Sequence, residues 1–374
     1  MATDFAAEGL LDGLDGDARE ARLRLLEKLE EDGVPLDELR GAVAEARLAL
    51  LPLERVLAPP GRRFTFEEMA QRAELDPAFL ADLTRALGLP LPEGDEPIFT
   101  EHDLEAARTV GGFRAAGIGD AELLEVTRVL GHSLSQIVAA LRSMFTQSFF
   151  DAGDSEYDVG VRWAAAAEEL NPVLEKVVRY LLRAQQVAQL RHAVFDMAGL
   201  GTGTTRISVA FADLAGFTRL GEQVAADQLG SVAGRLTALA TDAAQPPVRL
   251  VKMIGDAAML VSTEPRALLD AILGLLVAVE AEGEEFPPLR AGIACGEGLS
   301  RGGDWFGAPV NLASRITDKA RPGAVVVTAE FMEGIADDGY RWTKLPGRRK
   351  FKGISEDQVL FRVRRADADT LRDV

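Results

Sequence analysis

Hydrophobic positions in the first 200 residues recur at the three-to-four-residue spacing of helices. Leu23, Leu26 and Leu29, then Leu36, Leu39 and Val43, mark two such stripes. Thr65 with Glu68, and Thr100 with Asp103, have the spacing of a capping box, in which side chain and backbone satisfy each other at a helix start. Asp76-Pro77 and Asn171-Pro172 place an acceptor before a proline, the order of an N-cap and first helical residue. Val177, Leu181, Val187, Leu190 and Val194 then share one broad face and predict a connector helix from Val173 to Ala198. That face is also a candidate dimer seam. The glycine-rich run Gly199-Leu200-Gly201-Thr202-Gly203 ends it as a flexible linker.

Beyond Gly203 the rhythm changes to alternation. Ile207, Val209 and Phe211 predict a strand over Arg206–Asp213, followed by a helical stretch to Ala244. Val248–Met253 and Ala257–Ser262 form two strands about the turn Ile254-Gly255-Asp256, and a helix spans roughly Pro265–Glu282. Further strands fall at Leu289–Cys295, Ala324–Thr328, Arg341–Leu345 and Val359–Val363. The expected architecture is an all-α N-terminal domain followed by an α+β sandwich of the ferredoxin-like kind, with helices on one face of its sheet. The domains divide as residues 1–172, a connector over 173–203, and 204–374.

Charge separates the same halves. Residues 1–200 hold 20 Lys and Arg against 36 Asp and Glu, whereas residues 201–374 hold 21 against 23. So acidic a first half repels a phosphate backbone, and the helix-turn-helix rhythm of residues 64–110 reads better as a scaffold than as a DNA reader. One cysteine, Cys295, excludes an intrachain disulfide framework, and its apolar strand makes it an inert core thiol. No apolar run reaches the ~18–20 residues of a membrane-spanning helix. The acidic start Met1-Ala2-Thr3-Asp4 lacks the positive charge of a signal peptide, so the expectation is a cytoplasmic protein without a transmembrane segment.

Two aspartates stand at strand edges among glycines: Asp213, before Leu214-Ala215-Gly216-Phe217-Thr218, and Asp256, in Lys252-Met253-Ile254-Gly255-Asp256. Converging carboxylates with nearby backbone oxygens suit Mg²⁺, which keeps substrate phosphates in its shell. The strand-to-helix turn after Asp213 aims free backbone N–H groups at an incoming phosphate. A third segment, Asp304-Trp305-Phe306-Gly307-Ala308-Pro309-Val310-Asn311-Leu312-Ala313-Ser314-Arg315, places Asn311 and Arg315 one helical turn apart. An amide beside a guanidinium suits a crowded phosphate and ribose transition state. Gly302-Gly303-Asp304 lacks the acidic residue that a diguanylate cyclase signature needs next.

Together these segments resemble the catalytic domain of class III nucleotidyl cyclases over residues 204–364. The resemblance implies that Asp213 and Asp256, with Leu214 beside them, hold two Mg²⁺ or Mn²⁺ ions per active site. It makes Lys252 and Asp304 the purine-selecting pair of an enzyme that uses ATP, and Asn311 and Arg315 the transition-state pair. Phe217, Thr218 and the later Lys352-Gly353, with Lys350 close by, fall among the substrate-binding positions. It further implies a homodimer with two shared active sites, because the metal aspartates and the other residues of a pocket come from different catalytic domains. The alternative is a catalytically inactive nucleotide sensor. The helical half resembles that of the autoinhibited, pH-responsive adenylyl cyclases of mycobacteria and related actinobacteria. That likeness implies regulation of the catalytic half, with acid relieving inhibition, and leaves open an unknown small-molecule ligand of the N-terminal domain. All three histidines, His102, His132 and His192, lie in the first 200 residues, and His132 follows Gly131 in an expected turn. His192 on the connector, with Asp196 four residues on, is the candidate sensor.

Overall fold

The computed structural model describes residues 3–92, 94–149, 151, 153–196, 204–335, 339–351, 354 and 357–366. The chain divides into two units, Met1–Ala193 and Val194–Val374.

The first unit is helical. It runs through α1 (Gly16–Glu31), α2 (Leu36–Ala44), a short 3₁₀ turn, α3 (Leu51–Leu57), α4 (Phe66–Ala73) and α5 (Pro77–Ala86). It continues with α6 (Glu101–Ala115), α7 (Asp120–Phe149) and α8 (Glu156–Asp196). The apolar stripes pack as expected: Leu25, Leu26 and Leu29 of α1 meet Leu39 and Ala42 of α2 in one core. A second core gathers Met69, Phe79, Leu80 and Leu104 around the fully buried Phe64. Both capping boxes form, Thr65 with Glu68 and Thr100 with Asp103, and Asp76 caps α5 through the amides of Ala78 and Phe79.

Two local expectations need correction. The helix expected from Val173 begins at Glu156, so Asn171-Pro172 lies inside α8 rather than at its start. An earlier cap explains this: the Ser155 hydroxyl accepts from the Asp158 amide at 3.2 Å, and the alanine run Ala164–Ala167 then favours helix strongly. Gly131-His132 likewise lies within α7 and is no turn. Glycine stands there for contact, because a Cβ at 131 would come within 2.5 Å of the Leu87 carbonyl oxygen.

The second unit is a mixed sheet with helices. Its elements are β1 (Thr204–Leu214), α9 (Phe217–Leu220), α10 (Ala226–Ala243), β2 (Arg249–Ile254), β3 (Ala257–Ser262) and α11 (Pro265–Glu280). Then come β4 (Leu289–Arg301), β5 (Asp304–Phe306), α12 (Ala308–Lys319), β6 (Val325–Thr328), α13 (Ala329–Glu333), β7 (Tyr340–Lys344) and β8 (Leu360–Arg365). The strands lie in the order β2-β3-β1-β4-β6-β8-β7, with β5 folded back on β4. β4 and β6 run parallel, and the other pairs are antiparallel.

Alternation along β1 sorts its residues to two faces. Ala210, Ala212 and Leu214 join the core built with α10 and α11. Ile207, Val209 and Phe211 join the opposite core, with Leu312, Ala313 and Ile316 of α12. Helices therefore cover both faces, not one, and α12 has the second face. Among the described residues, no helix is long and apolar enough to cross a membrane.

Candidate active site

Asp213 follows Phe211 on the α12-facing side of β1 and pairs in register with Ala257, the residue after Asp256. Gly255, at φ +61°, makes the tight turn that returns β2 into β3. The Leu214 amide donates to the Asp256 carbonyl at 3.2 Å, which draws the hairpin tip onto the end of β1. The two carboxylates thus converge from residues 43 positions apart. Burial pushes the Asp213 carboxyl above its ordinary range; the nearby Asp256 adds to that shift and Arg290 opposes it.

Arg290, on β4, faces the same side as Asp213. Its Nε and Nη2 both donate to Asp213 Oδ2, at 2.8 and 2.5 Å. The sequence motifs pass over this residue. Its signal was a charge in the otherwise apolar strand Leu289–Cys295, a position that demands a partner.

Among the described residues no group of three His, Cys, Asp or Glu could by itself hold a metal ion. The protein offers two hard oxygen ligands instead, a set that fits Mg²⁺ or Mn²⁺ completed by water and substrate phosphates.

Lys252 on β2 donates to Asp304 at the start of β5. The other Asp304 oxygen accepts from the Trp305 amide at 2.8 Å, so the carboxylate is oriented by its own backbone. Gly302 and Gly303, both at positive φ, close the β4–β5 hairpin and set Asp304 beside Arg301 in register.

Asn311 and Arg315 lie on α12, one turn apart and exposed, whereas Leu312, Ala313, Ile316 and Thr317 of the same helix are buried. Neither makes a side-chain hydrogen bond among the described residues. Two contacts fix this helix on the sheet. The Thr317 hydroxyl donates to the Phe211 carbonyl at 3.1 Å, and Gly292 of β4 lies so close that a Cβ would meet the Thr317 nitrogen at 2.5 Å.

Phe217 packs partly against the α10–α11 core, and Thr218 is exposed on the four-residue α9. Lys352 and Gly353 lie outside the described residues. His192 and Asp196 fall in the last turns of α8, with their side chains outside the described part. Burial pushes the Cys295 thiol up to about 11, which fits an unreactive residue.

Comparison with known proteins identifies the family of both units. Residues 3–194 match the adenylate cyclase regulatory domain, and residues 202–363 match the adenylate and guanylate cyclase catalytic domain. A pH-sensitive adenylate cyclase of Mycobacterium tuberculosis is 37% identical over 99% of this chain and 94% of its own length. The chain belongs to the class III adenylyl cyclases. An adenylate cyclase of Streptomyces coelicolor is 31% identical over 76% of this cyclase and 75% of its own length. The helical unit of the cyclase is thus an N-terminal regulatory domain, and the sheet-bearing unit is catalytic.

Proposed function

We propose that the cyclase converts ATP to 3′,5′-cyclic AMP and pyrophosphate in two equivalent pockets of a homodimer, each pocket built from both chains. The observation that carries this reading is the exposure of Asn311 and Arg315 on a helix whose other side is buried. Unpaired polar groups fixed on a rigid helix suit a pocket completed by a second copy. Ile254, two residues before Asp256, and Phe306, two after Asp304, add exposed apolar surface beside the same positions.

In this reading Asp213 and Asp256, with the Leu214 backbone, hold two divalent cations, Mg²⁺ or Mn²⁺. Bound there, the cations supply Lewis-acid stabilisation of the 3′-oxygen and the triphosphate. Lys252 donates to adenine N1 and Asp304 accepts from the 6-amino group. Phe217, Thr218 and Lys352 border the triphosphate. Asn311 orients the ribose, and Arg315 neutralises charge building on the α-phosphoryl oxygens. The 3′-oxygen bonds to the α-phosphorus as the bond to pyrophosphate breaks, so positioning supplies most of the catalysis.

The division at 1–172, 173–203 and 204–374 makes the end of α8 and residues 197–203, which lie outside the described residues, the connector. Acidification relieves the restraint that the helical domain imposes, with His192 and Asp196 as the sensor. Support comes from the pH-sensitive relative and from the placement of all three histidines before residue 200. The test is cyclic AMP formation by the full chain with Mn²⁺ and ATP from about pH 5 to 8, spanning the histidine range. Activity rises on acidification, and His192→Ala flattens the rise without abolishing turnover. A flat wild-type profile removes the acid switch; an unchanged profile in the variant removes His192 from it.

A further inference from the structure

Arg290 is held at both ends of its guanidinium. Nε and Nη2 converge on one oxygen of Asp213, and Nη1 donates to the Asp318 carbonyl at 3.2 Å. Asp318 stands in the last turn of α12, where backbone carbonyls lack helical partners and a cation is favoured by the helix dipole. The pair is well shielded, with Arg290 and Asp213 side chains 25% and 17% exposed. A planar guanidinium fixed by a helix end is a rigid template, and gripping Oδ2 alone leaves Asp213 Oδ1 for another ligand.

We propose that Arg290 is a positioning residue for the metal site: it sets the plane of the Asp213 carboxylate and ties it to the C-terminal turn of the helix that bears Asn311 and Arg315. This rests on the reading that Asp213 and Asp256 hold the cation. The geometry, rather than the charge, is the contribution. A lysine keeps the charge but is a point donor, unable to grip Oδ2 twice while reaching the Asp318 carbonyl. Residues that orient a metal ligand are typically worth about 10- to 100-fold in metal affinity.

The experiment measures Mn²⁺ affinity of the full chain without nucleotide, by the electron paramagnetic resonance signal of free Mn²⁺. Arg290→Lys, Asp256→Asn and the wild type are compared, each with its melting temperature. The proposal expects Arg290→Lys to weaken Mn²⁺ binding about tenfold while melting stays near that of the wild type. Unchanged affinity in Arg290→Lys beside a clear loss in Asp256→Asn overturns the proposal and leaves the metal site standing. Unchanged affinity in Asp256→Asn overturns the metal reading itself. Should Arg290→Lys melt much lower, the Mn²⁺ concentration giving half-maximal turnover is measured below its melting range. A rise there supports positioning, and an unchanged value refutes it.

Discussion

The Lys252 ammonium donates directly to the Asp304 carboxylate, although the two are 52 residues apart in the chain. The pair presents a donor and an acceptor side by side, the complement of adenine N1 and its 6-amino group. Guanine reverses both, with a carbonyl toward the carboxylate and an N–H toward the ammonium. At about 1–3 kcal/mol for each unpaired buried group, mispairing at both positions costs roughly 2–6 kcal/mol, about one and a half to four orders of magnitude in kcat/KM. Lys252→Glu with Asp304→Cys therefore loses ATP activity and shifts preference toward GTP, measured as the ratio of kcat/KM for the two nucleotides. An unchanged ratio contradicts the assignment.

Gly292 sets the distance between β4 and α12. A methyl group there meets the Thr317 nitrogen, the Ala313 oxygen and the Thr317 hydroxyl, all within 2.7 Å. Gly292→Ala must push the helix away from the sheet, costing about 1–3 kcal/mol in the way of other overpacked cores. Asn311 and Arg315 shift with the helix, so turnover falls more than ATP affinity. Urea unfolding and steady-state kinetics check the two parts separately.

The Asp213 carboxyl is raised above its ordinary 3.8, by burial first and then by Asp256. A carboxyl of raised pKa favours the metal-free fold while protonated, and that contribution is lost as pH rises through the folded-state value. A bound cation reverses the sense, because it requires the ionised form. The rise in melting temperature on adding Mn²⁺ consequently grows as pH is raised from the ordinary carboxylate range toward neutrality. Asp213→Asn removes most of that pH dependence.

Sequence periodicity located most elements because their apolar faces are strict, as in Ile207, Val209 and Phe211 on β1. Capping signatures placed the starts of α4, α5 and α6, since these act through residues two or three positions apart. The same logic failed at Asn171-Pro172, where an upstream cap at Ser155 had already begun the helix. Gly131 misled for a different reason: its small size serves a contact with Leu87, and tertiary contact leaves no local trace. The paired residues Asp213 with Asp256 and Lys252 with Asp304 were legible through the family pattern. Arg290 was not, because its role comes from the β1–β4 pairing, which sets it opposite Asp213. The second helical face is not legible in the strand and helix order, because the ferredoxin-like pattern takes no account of α12.

In the proposed homodimer each pocket draws on two chains. Asp213→Ala and Arg315→Ala homodimers are each nearly inactive, for different missing parts. When the two variants are co-expressed and assort randomly, half the dimers pair one of each. Every such dimer has one pocket with both defects and one with none. Cyclic AMP formation by the purified mixture then returns to about a quarter of the wild-type rate. A mixture of verified heterodimers that stays as inactive as its parents contradicts the shared pocket.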